Sequence, residues 1–161
     1  MDERDAVTVE LGASWFGSGL SIHARSRLAE CATLRQHPAG LTLLREGDTT
    51  GLFAIVTHGR VGLRMHVPER GAITILTVEP GDVVGWSALV PPHRSTSTAV
   101  TLEPTTLLSF EPRRLRAVLE GDCPLAATLY PRLLEALGRR LSATRNQLLD
   151  LYAQQTEPVP W

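Results

Sequence analysis

The sequence predicts an α+β fold in which short β-strands lie between helical segments. Three observations support this prediction. Apolar and polar residues alternate in short runs over residues 41–110. Turn signals separate these runs about every 10 residues. Helical periodicity begins at Pro112 and continues toward the C-terminus. Strands of this length and spacing are typical of a β-sandwich or a β-barrel.

The composition is that of one domain with a core of its own. The chain has 161 residues, of which 43% are hydrophobic, and its 16 basic residues nearly balance 17 acidic ones. Such a balance gives no general attraction to nucleic acid. The sequence contains no apolar run of about 18 residues and no N-terminal signal core. We therefore expect a cytoplasmic protein that does not contact a membrane.

The N-terminal part is predicted to be an arm followed by one helix. Residues 1–19 contain glycines around Trp15 and Phe16, which predicts a loose arm with an aromatic anchor. Ser21 is a suitable N-cap residue for a helix that extends to about Leu34.

The two cysteines, Cys31 and Cys123, are far apart and lack metal-binding spacing. We expect both to be reduced and partly buried, each on a helix. No secretion signal supports a disulfide between them.

The predicted strands occupy residues 41–110. Val61, Leu63 and Met65 alternate with polar or small residues, which is the period of a half-buried strand. The run Phe53–Val56 predicts the preceding strand. Turn signals rich in Gly, Asp, Glu and Pro bound these strands at Glu46–Asp48, His58–Gly59, Glu69–Gly71 and Glu79–Asp82.

Two C-terminal helices are predicted over residues 112–154, and residues 156–161 are expected to form a frayed tail. Pro112 suits the first turn of the first helix, and Pro131 is expected either to kink the longer helix or to start its main part. We expect the pair Arg139-Arg140 to lie on a solvated face.

Apolar positions along the longer helix form a heptad seam with one polar interruption, at Leu134, Leu137, Leu141, Thr144, Leu148 and Leu151. Such a seam indicates either a homodimer through this helix or a helix that lies on the barrel.

The segment Gly81–Leu89 carries the clearest functional signal. A glycine-bounded strand end leads into a short helical turn, and Arg94 follows with several hydroxyl side chains. Backbone N–H groups at the start of a helical turn point toward an anion, and a guanidinium can close on it. This order predicts a small phosphate-binding pocket in a ligand-sensing barrel.

The order of these segments resembles the cyclic-nucleotide-binding domain of the catabolite activator protein superfamily. The resemblance covers about residues 20–155 and implies an antiparallel β-roll, a jelly-roll-like double-stranded β-helix, flanked by N-terminal and C-terminal helices. It implies a regulatory domain with cAMP or cGMP as ligand and an unknown protein partner. The segments that carry it are Glu46–Asp48, Leu52–Val56, Gly59–Val61, Pro80–Gly85 and Gly138–Leu141.

In that family a phosphate-binding cassette holds the cyclic phosphate. The resemblance implies that amides of the short turn face the phosphate, that Arg94 supplies a charge-assisted bond with a hydroxyl beside it, and that Thr144 faces the purine. The residues it assigns to ligand contact are Gly85, Trp86, Ser87, Ala88, Leu89, Arg94, Ser95, Thr96 and Thr144.

The cassette departs from the family pattern at Trp86. Members that bind nucleotides carry a glutamate at this position, and it binds the ribose 2′-hydroxyl. An indole has no acceptor for that hydroxyl, and the loss is worth roughly 1–3 kcal/mol. Trp86 is expected either to stack on a ligand or to plug the pocket. The second alternative predicts a degenerate fold that acts as a protein-interaction module without binding a nucleotide. The Gly-Trp-Ser and Pro-Pro sequences are similar to those of an offshoot of the family.

The sequence offers little support for an enzyme, a metal centre or a DNA-binding protein. The five histidines form no H-x-H pair of the cupin type, and no nucleophile elbow or phosphate loop is present. We expect no metal and no catalytic residues. The chain stops at Trp161, which is too soon for a helix-turn-helix after the long helix, so we expect no direct DNA binding.

Overall fold

The computed structural model describes residues 2–155. It has the α+β architecture that the sequence predicts, with two antiparallel sheets and helices at both ends. The tail predicted at residues 156–161 lies outside the described residues. In chain order the elements are α1 (Glu3–Ala13), α2 (Ile22–Ala29), β1 (Ala32–His37), β2 (Thr42–Leu44), β3 (Phe53–His58), β4 (Val61–Val67), β5 (Gly71–Val78), β6 (Val83–Val84), a one-turn 3-10 helix (Trp86–Ala88), β7 (Thr98–Thr101), β8 (Thr105–Phe110), α3 (Pro112–Gly121) and α4 (Cys123–Gln155).

The strands form a β-roll of two four-stranded sheets, with strand orders β1-β8-β3-β6 and β2-β7-β4-β5. Only the β4–β5 pair joins strands that follow each other in the described chain. The other pairs join distant segments, as where Ala32 of β1 lies opposite Phe110 of β8. The roll is therefore closed by long-range pairing.

Strand β3 separates two hydrophobic clusters because both of its faces are buried. Phe53 and Ile55 belong to the cluster shared with the helices, whereas Ala54 and Val56 belong to the cluster inside the roll. The Phe53 ring lies 5.8 Å from the rings of both Phe16 and Phe110, centroid to centroid. A shift of β3 by one residue would exchange the two faces, so packing on both sides fixes its register.

The loose arm predicted over residues 1–19 is wrong, although Phe16 is buried in the cluster shared with the helices, as expected of an aromatic anchor. Most of this segment is the helix α1, and its residues Val7 and Leu11 are fully buried in the cluster shared with the helices. These two residues are four positions apart, so they share one face of a helix. That face packs on the body of the domain and stabilises a helix whose composition alone is not strongly apolar.

The helix predicted from Ser21 to Leu34 is only partly confirmed. The Ser21 side chain accepts a hydrogen bond from the Ala24 amide at 3.1 Å and caps α2, as predicted. The helix ends at Ala29, however, and the following residues form β1, paired with β8. The roll therefore begins at residue 32 rather than 41, because pairing with a distant strand outweighs the local helical pattern.

The cysteine predictions are corrected in part. Both thiols are free, as expected, and Cys31 is buried. It follows α2 instead of lying within a helix, and its Sγ donates to the Leu28 carbonyl at 3.3 Å. Burial raises the pKa of the Cys31 thiol. Cys123 is the first residue of α4 and is exposed, not partly buried.

The two C-terminal helices are confirmed. Glu111 caps α3, since its carboxylate accepts from the amides of Arg113 and Arg114 at 3.0 and 2.7 Å; these bonds lower the pKa of Glu111. Helix α4 has 33 residues and contains Pro131 in its interior, so this proline does not start it. Within residues 2–155, none of the helices combines the length and the apolar character needed to cross a membrane.

We predict that Gly85→Ala destabilises the protein far more than Gly71→Ala. Both glycines have positive φ, 79° and 75°, so alanine is strained at either position. A Cβ at Gly85 would lie 1.9 Å from the Leu52 carbonyl oxygen, whereas nothing lies within 4 Å at Gly71. We expect Gly85→Ala to lower the free energy of unfolding by at least about 2 kcal/mol more, measured by urea denaturation. Equal losses would contradict the close approach at Gly85.

Candidate ligand site

A small pocket lies where the 3-10 turn, the loop before β7 and helix α4 meet. We call it the roll pocket. Its volume is about 20 Å³, which is room for about one water molecule. Half of its lining is apolar, and the other half includes hydroxyls and one guanidinium. The lining residues are Leu44, Leu63, Gly85, Trp86, Ser87, Ser95, Thr96, Ser97, Ala99 and Arg140.

Gly85 begins the turn that forms one wall of the pocket. Its left-handed backbone and the adjacent Leu52 carbonyl leave no room for a side chain. The amides of Ala88 and Leu89 donate to the Gly85 and Trp86 carbonyls at 2.9 and 3.0 Å. These two donors are therefore used within the turn. Their contact with a phosphate, which the resemblance implies, stays a prediction.

Two side chains hold the outer edge of this turn. Arg116 of α3 donates to the Ala88 carbonyl at 2.6 Å, and a ring nitrogen of His93 donates to the Ser87 carbonyl at 3.0 Å. The turn is thus connected directly to α3. Any displacement of the turn would strain these contacts.

The Arg94 side chain lies outside the lining of the roll pocket. It is exposed and donates to the Gly47 carbonyl at 2.8 Å. The next residue, Ser95, is buried and shares a 2.9 Å hydrogen bond with the Thr50 hydroxyl. Of the cationic and hydroxyl contacts that the resemblance implies, the structure brings Ser95 and Thr96 to the pocket but not Arg94.

Trp86 lines the pocket and also packs on the cluster shared with the helices. It is half-buried. The indole therefore occupies part of the wall at the position where nucleotide-binding members of the family carry glutamate. In this position the indole reduces the volume of the pocket, whether it stacks on a ligand or plugs the pocket.

Arg140 of α4 is the charged lining residue that the sequence analysis missed. The other lining residues that were not predicted are Leu44, Leu63, Ser97 and Ala99. The pair Arg139-Arg140 was expected on a solvated face, but the Arg140 side chain is only 11% exposed. One of its terminal nitrogens donates to the Val83 carbonyl, and Asp82 Oδ1 lies 3.6 Å from the same nitrogen. Its Nε is buried and has no hydrogen-bond partner in the described part of the chain.

The charge of Arg140 is only partly compensated. Burial lowers the pKa of the Arg140 guanidinium below its ordinary value; the Asp82 carboxylate opposes this shift, and the charge of Arg139 reinforces it. A buried cation with an unused donor is costly unless an acceptor reaches it. Two sequence features pointed to this region, the glycine turn at Asp82 and the segment Gly138–Leu141, but neither showed that the Asp82 carboxylate faces Arg140 in the fold.

Two further arginines fasten α4 to the segment between α1 and α2. Arg132 donates to the carbonyls of Trp15 and Phe16, both at 3.2 Å. The Arg139 guanidinium stacks over the Trp15 ring, 3.6 Å from its centroid, in cation–π geometry. We call Arg132, Arg139 and Arg140 the arginine row. It connects one stretch of α4 both to the pocket and to the N-terminal segment.

Thr144 lies one turn beyond Arg140 on α4. Its hydroxyl donates to the Arg140 carbonyl at 2.9 Å. The residue is exposed and does not line the pocket, so its predicted contact with a purine stays a prediction. Residues 2–155 contain no group of three or more His, Cys, Asp or Glu side chains that could hold a metal ion.

Comparison with known proteins identifies the class that this roll and its turn define. The model of the cyclic nucleotide-binding domain family matches residues 34–122, and the chain belongs to that family. A CRP-like cAMP-activated global transcriptional regulator of Mycobacterium tuberculosis is 31% identical over 115 residues, which are 71% of this chain and 49% of the regulator. The chain thus spans about half the length of this curated relative.

Solved structures show the same fold at lower sequence identity. A cyclic nucleotide-binding domain from Methylobacillus flagellatus superposes with a TM-score of 0.77 at 20% identity, over 91% of this chain and 83% of that one. A putative cyclic nucleotide-binding protein from Geobacter metallireducens gives a TM-score of 0.73 at 22% identity, over 88% and 99%. These similarities confirm the β-roll flanked by helices.

We predict energetic coupling between Asp82 and Arg140 in a double-mutant cycle with Asp82→Asn and Arg140→Met. Each single change removes one charge of a partly buried pair, so the coupling free energy should be roughly 0.5–3 kcal/mol, measured by urea denaturation. Arg145 is an exposed arginine of the same helix. A parallel cycle of Asp82→Asn with Arg145→Met should show coupling below about 0.5 kcal/mol. Similar values in both cycles would contradict a specific Asp82–Arg140 interaction.

Proposed function

We propose that this chain is a ligand-responsive regulatory domain that binds a small anion of the cyclic-nucleotide type in the roll pocket and transmits binding through α4. One observation carries the proposal. The family's cassette turn and the long helix are walls of the same pocket, because Gly85–Ser87 and Arg140 line it together. A ligand that enters between them must contact or displace α4.

The chemistry of the lining supports an anionic ligand. The hydroxyls of Ser87, Thr96 and Ser97 offer hydrogen-bond donors, and the guanidinium of Arg140 offers positive charge. Among the described lining residues Arg140 alone is ionisable, so the pocket holds no acid–base pair. Binding rather than catalysis is the role that this lining supports.

Membership of the family and the cAMP-activated mycobacterial relative support cAMP or cGMP as the candidate ligand. No other cofactor is proposed. We further propose that the domain works in the cytoplasm on a small molecule and a protein partner, rather than on DNA or a membrane.

The size of the pocket supports a regulatory mechanism. Its volume of about 20 Å³ is far below the roughly 300 Å³ of ordinary ligand pockets. A nucleotide would therefore bind to an opened form in which Trp86 or α4 has shifted. A ligand that binds only this form raises its population. Occupancy of the pocket and the position of α4 would then change together.

We predict measurable but weak nucleotide binding that strengthens in the Trp86→Glu variant. Glutamate would supply the acceptor for the ribose 2′-hydroxyl that tryptophan lacks, which corresponds to about tenfold or more in affinity. Isothermal titration calorimetry of the full chain with cAMP and cGMP measures this. The Arg94→Ala variant serves as the control that removes the cassette arginine. Absence of binding heat with both nucleotides, in the natural sequence and in Trp86→Glu, would remove the nucleotide from the proposal.

A second candidate function is a protein-interaction module that binds no nucleotide. The small volume of the pocket and the packing of Trp86 on the core favour it. Under this alternative the pocket residues are dispensable, and the exposed part of α4 carries the function. A thermal-shift titration in which either nucleotide raises Tm strongly would exclude this alternative.

The exposed seam of α4 supports a homodimer in either case. Leu134, Leu141 and Leu148 recur at intervals of seven and are 67%, 61% and 54% exposed. Leu125, Leu129 and Leu133, on the first part of the same helix, are buried against the domain. The domain itself therefore covers the first part of α4 and part of Leu137 in the seam, and leaves Leu134, Leu141 and Leu148 exposed. A heptad seam of this kind is complementary to a second copy.

We predict that the double variant Leu141→Glu/Leu148→Glu is monomeric, whereas the natural chain is a dimer. Two carboxylates in the seam would repel their symmetry mates and remove buried apolar area. Asn146→Glu places a carboxylate on the opposite side of the exposed helix and should leave the dimer intact. Light scattering coupled to size-exclusion chromatography gives the masses. A natural chain that is monomeric at all concentrations would refute the dimer.

A further inference from the structure

We propose that Arg140, and not Arg94, is the residue that pairs with the charge of the anion, and that the ligand takes the place that Asp82 now holds beside it. This inference rests on the proposed function, because it concerns the same pocket. It differs in assigning recognition of charge to the long helix rather than to the cassette. The ligand class is a small phosphate monoanion or phosphodiester.

The present partners of Arg140 leave its bonding capacity unfilled. The Val83 carbonyl that accepts from one terminal nitrogen is neutral. Asp82 Oδ1 lies 3.6 Å from that nitrogen, beyond a good hydrogen bond, and already accepts from the Val83 amide at 2.8 Å. The buried Nε has no acceptor within residues 2–155. A ligand with several anionic oxygens would satisfy this side chain better than Asp82 does.

The neighbours of Arg140 in the pocket are suited to phosphate oxygens. The hydroxyls of Ser87, Thr96 and Ser97 line the same space. Ser87 is buried, so a bond to its hydroxyl would be shielded from water. One cation with several neutral donors suits an anion of low charge, since no second cation is present among the described lining residues.

Arg94 is less suited to this role. Its guanidinium is in solvent and already donates to the Gly47 carbonyl at 2.8 Å. Exposed ion pairs contribute little because water and salt screen them, whereas a buried cation interacts more strongly with an anion. Arg94 would also have to abandon its contact with Gly47 and turn inward before it reached the pocket.

If Arg140 binds the charge of the ligand, ligand binding acts directly on the position of α4. Arg139 is the next residue and stacks on Trp15, and Arg132 on the same helix holds the carbonyls of Trp15 and Phe16. A change in the position of Arg140 would therefore also change the contacts that Arg139 and Arg132 make with the N-terminal segment. The signal would arise within α4 itself, without relay through the cassette arginine.

The test compares affinities for cAMP, cGMP and inorganic phosphate across a set of charge variants of the full chain. Arg140→Met and Arg140→Gln remove the charge and retain much of the side-chain volume. Arg94→Ala removes the cassette arginine, and Arg145→Met is the matched control on the exposed part of α4. Asp82→Asn removes the competing carboxylate while its amide oxygen can still accept from the Val83 amide.

We expect both Arg140 variants to lose at least about tenfold in affinity, the value of one charge-assisted hydrogen bond. Arg94→Ala and Arg145→Met should stay within about threefold of the natural chain, as expected for exposed charges. Asp82→Asn should bind at least about threefold more tightly, because Arg140 then loses its competing anion. The opposite sign of the Asp82 effect cannot result from a general loss of structure, so it tests the proposal even if one Arg140 variant fails to fold.

The outcomes separate this inference from the proposed function. If a nucleotide binds and the loss occurs in Arg94→Ala but not in the Arg140 variants, the inference is wrong and the proposed function stands. An Asp82→Asn variant that binds no more tightly than the natural chain also overturns the inference. If phosphate alone binds and depends on Arg140, the nucleotide is wrong and the inference stands. If none of the three anions binds, both are wrong.

Discussion

The contact between the Arg140 guanidinium and the end of β6 is the constraint that relates the pocket to the long helix. It places a charge from α4 beside the Val83 carbonyl and the Asp82 carboxylate, and Arg140 also lines the pocket together with the cassette turn. In the described part of the chain, the hydrogen bond to Val83 is the one that joins α4 to β6. With it, the position of the helix and the shape of the pocket depend on each other.

The core explains why such a contact can be precise. Strand β3 is buried on both faces, so its register is fixed from the helical side by Phe53 and from inside the roll by Val56. Strand β6 pairs with β3 through Val83 and Val84, and the turn that contains Gly85 follows at once. The wall of the pocket that contains Gly85 is thus attached through β6 to β3, which is buried on both faces. The opposite wall belongs to α4, which side-chain contacts hold against the domain.

The sequence was sufficient for the features that depend on local signals. The glycine turns, the Ser21 cap and the start of α3 at Pro112 were predicted correctly, because each is determined by the residue itself and its neighbours. Prediction from the sequence failed where residues that are distant in the chain determine the structure. Residues 32–37 are a strand because β8 pairs with them. Helix α1 forms because its apolar face packs on the domain. Arg140 lines the pocket because the fold brings Asp82 opposite it, and no pattern in an Arg-Arg pair shows this.

The pairing of β1 with β8 also has a consequence for synthesis of the chain. Ala32 pairs with Phe110 and His37 with Thr105, so β1 leaves the ribosome long before its partner has been translated. Until then the edge of β1 that pairs with β8 has no native partner. In the nascent chain β1 therefore stays unpaired until β8 has been translated, and native contacts of such wide separation form slowly.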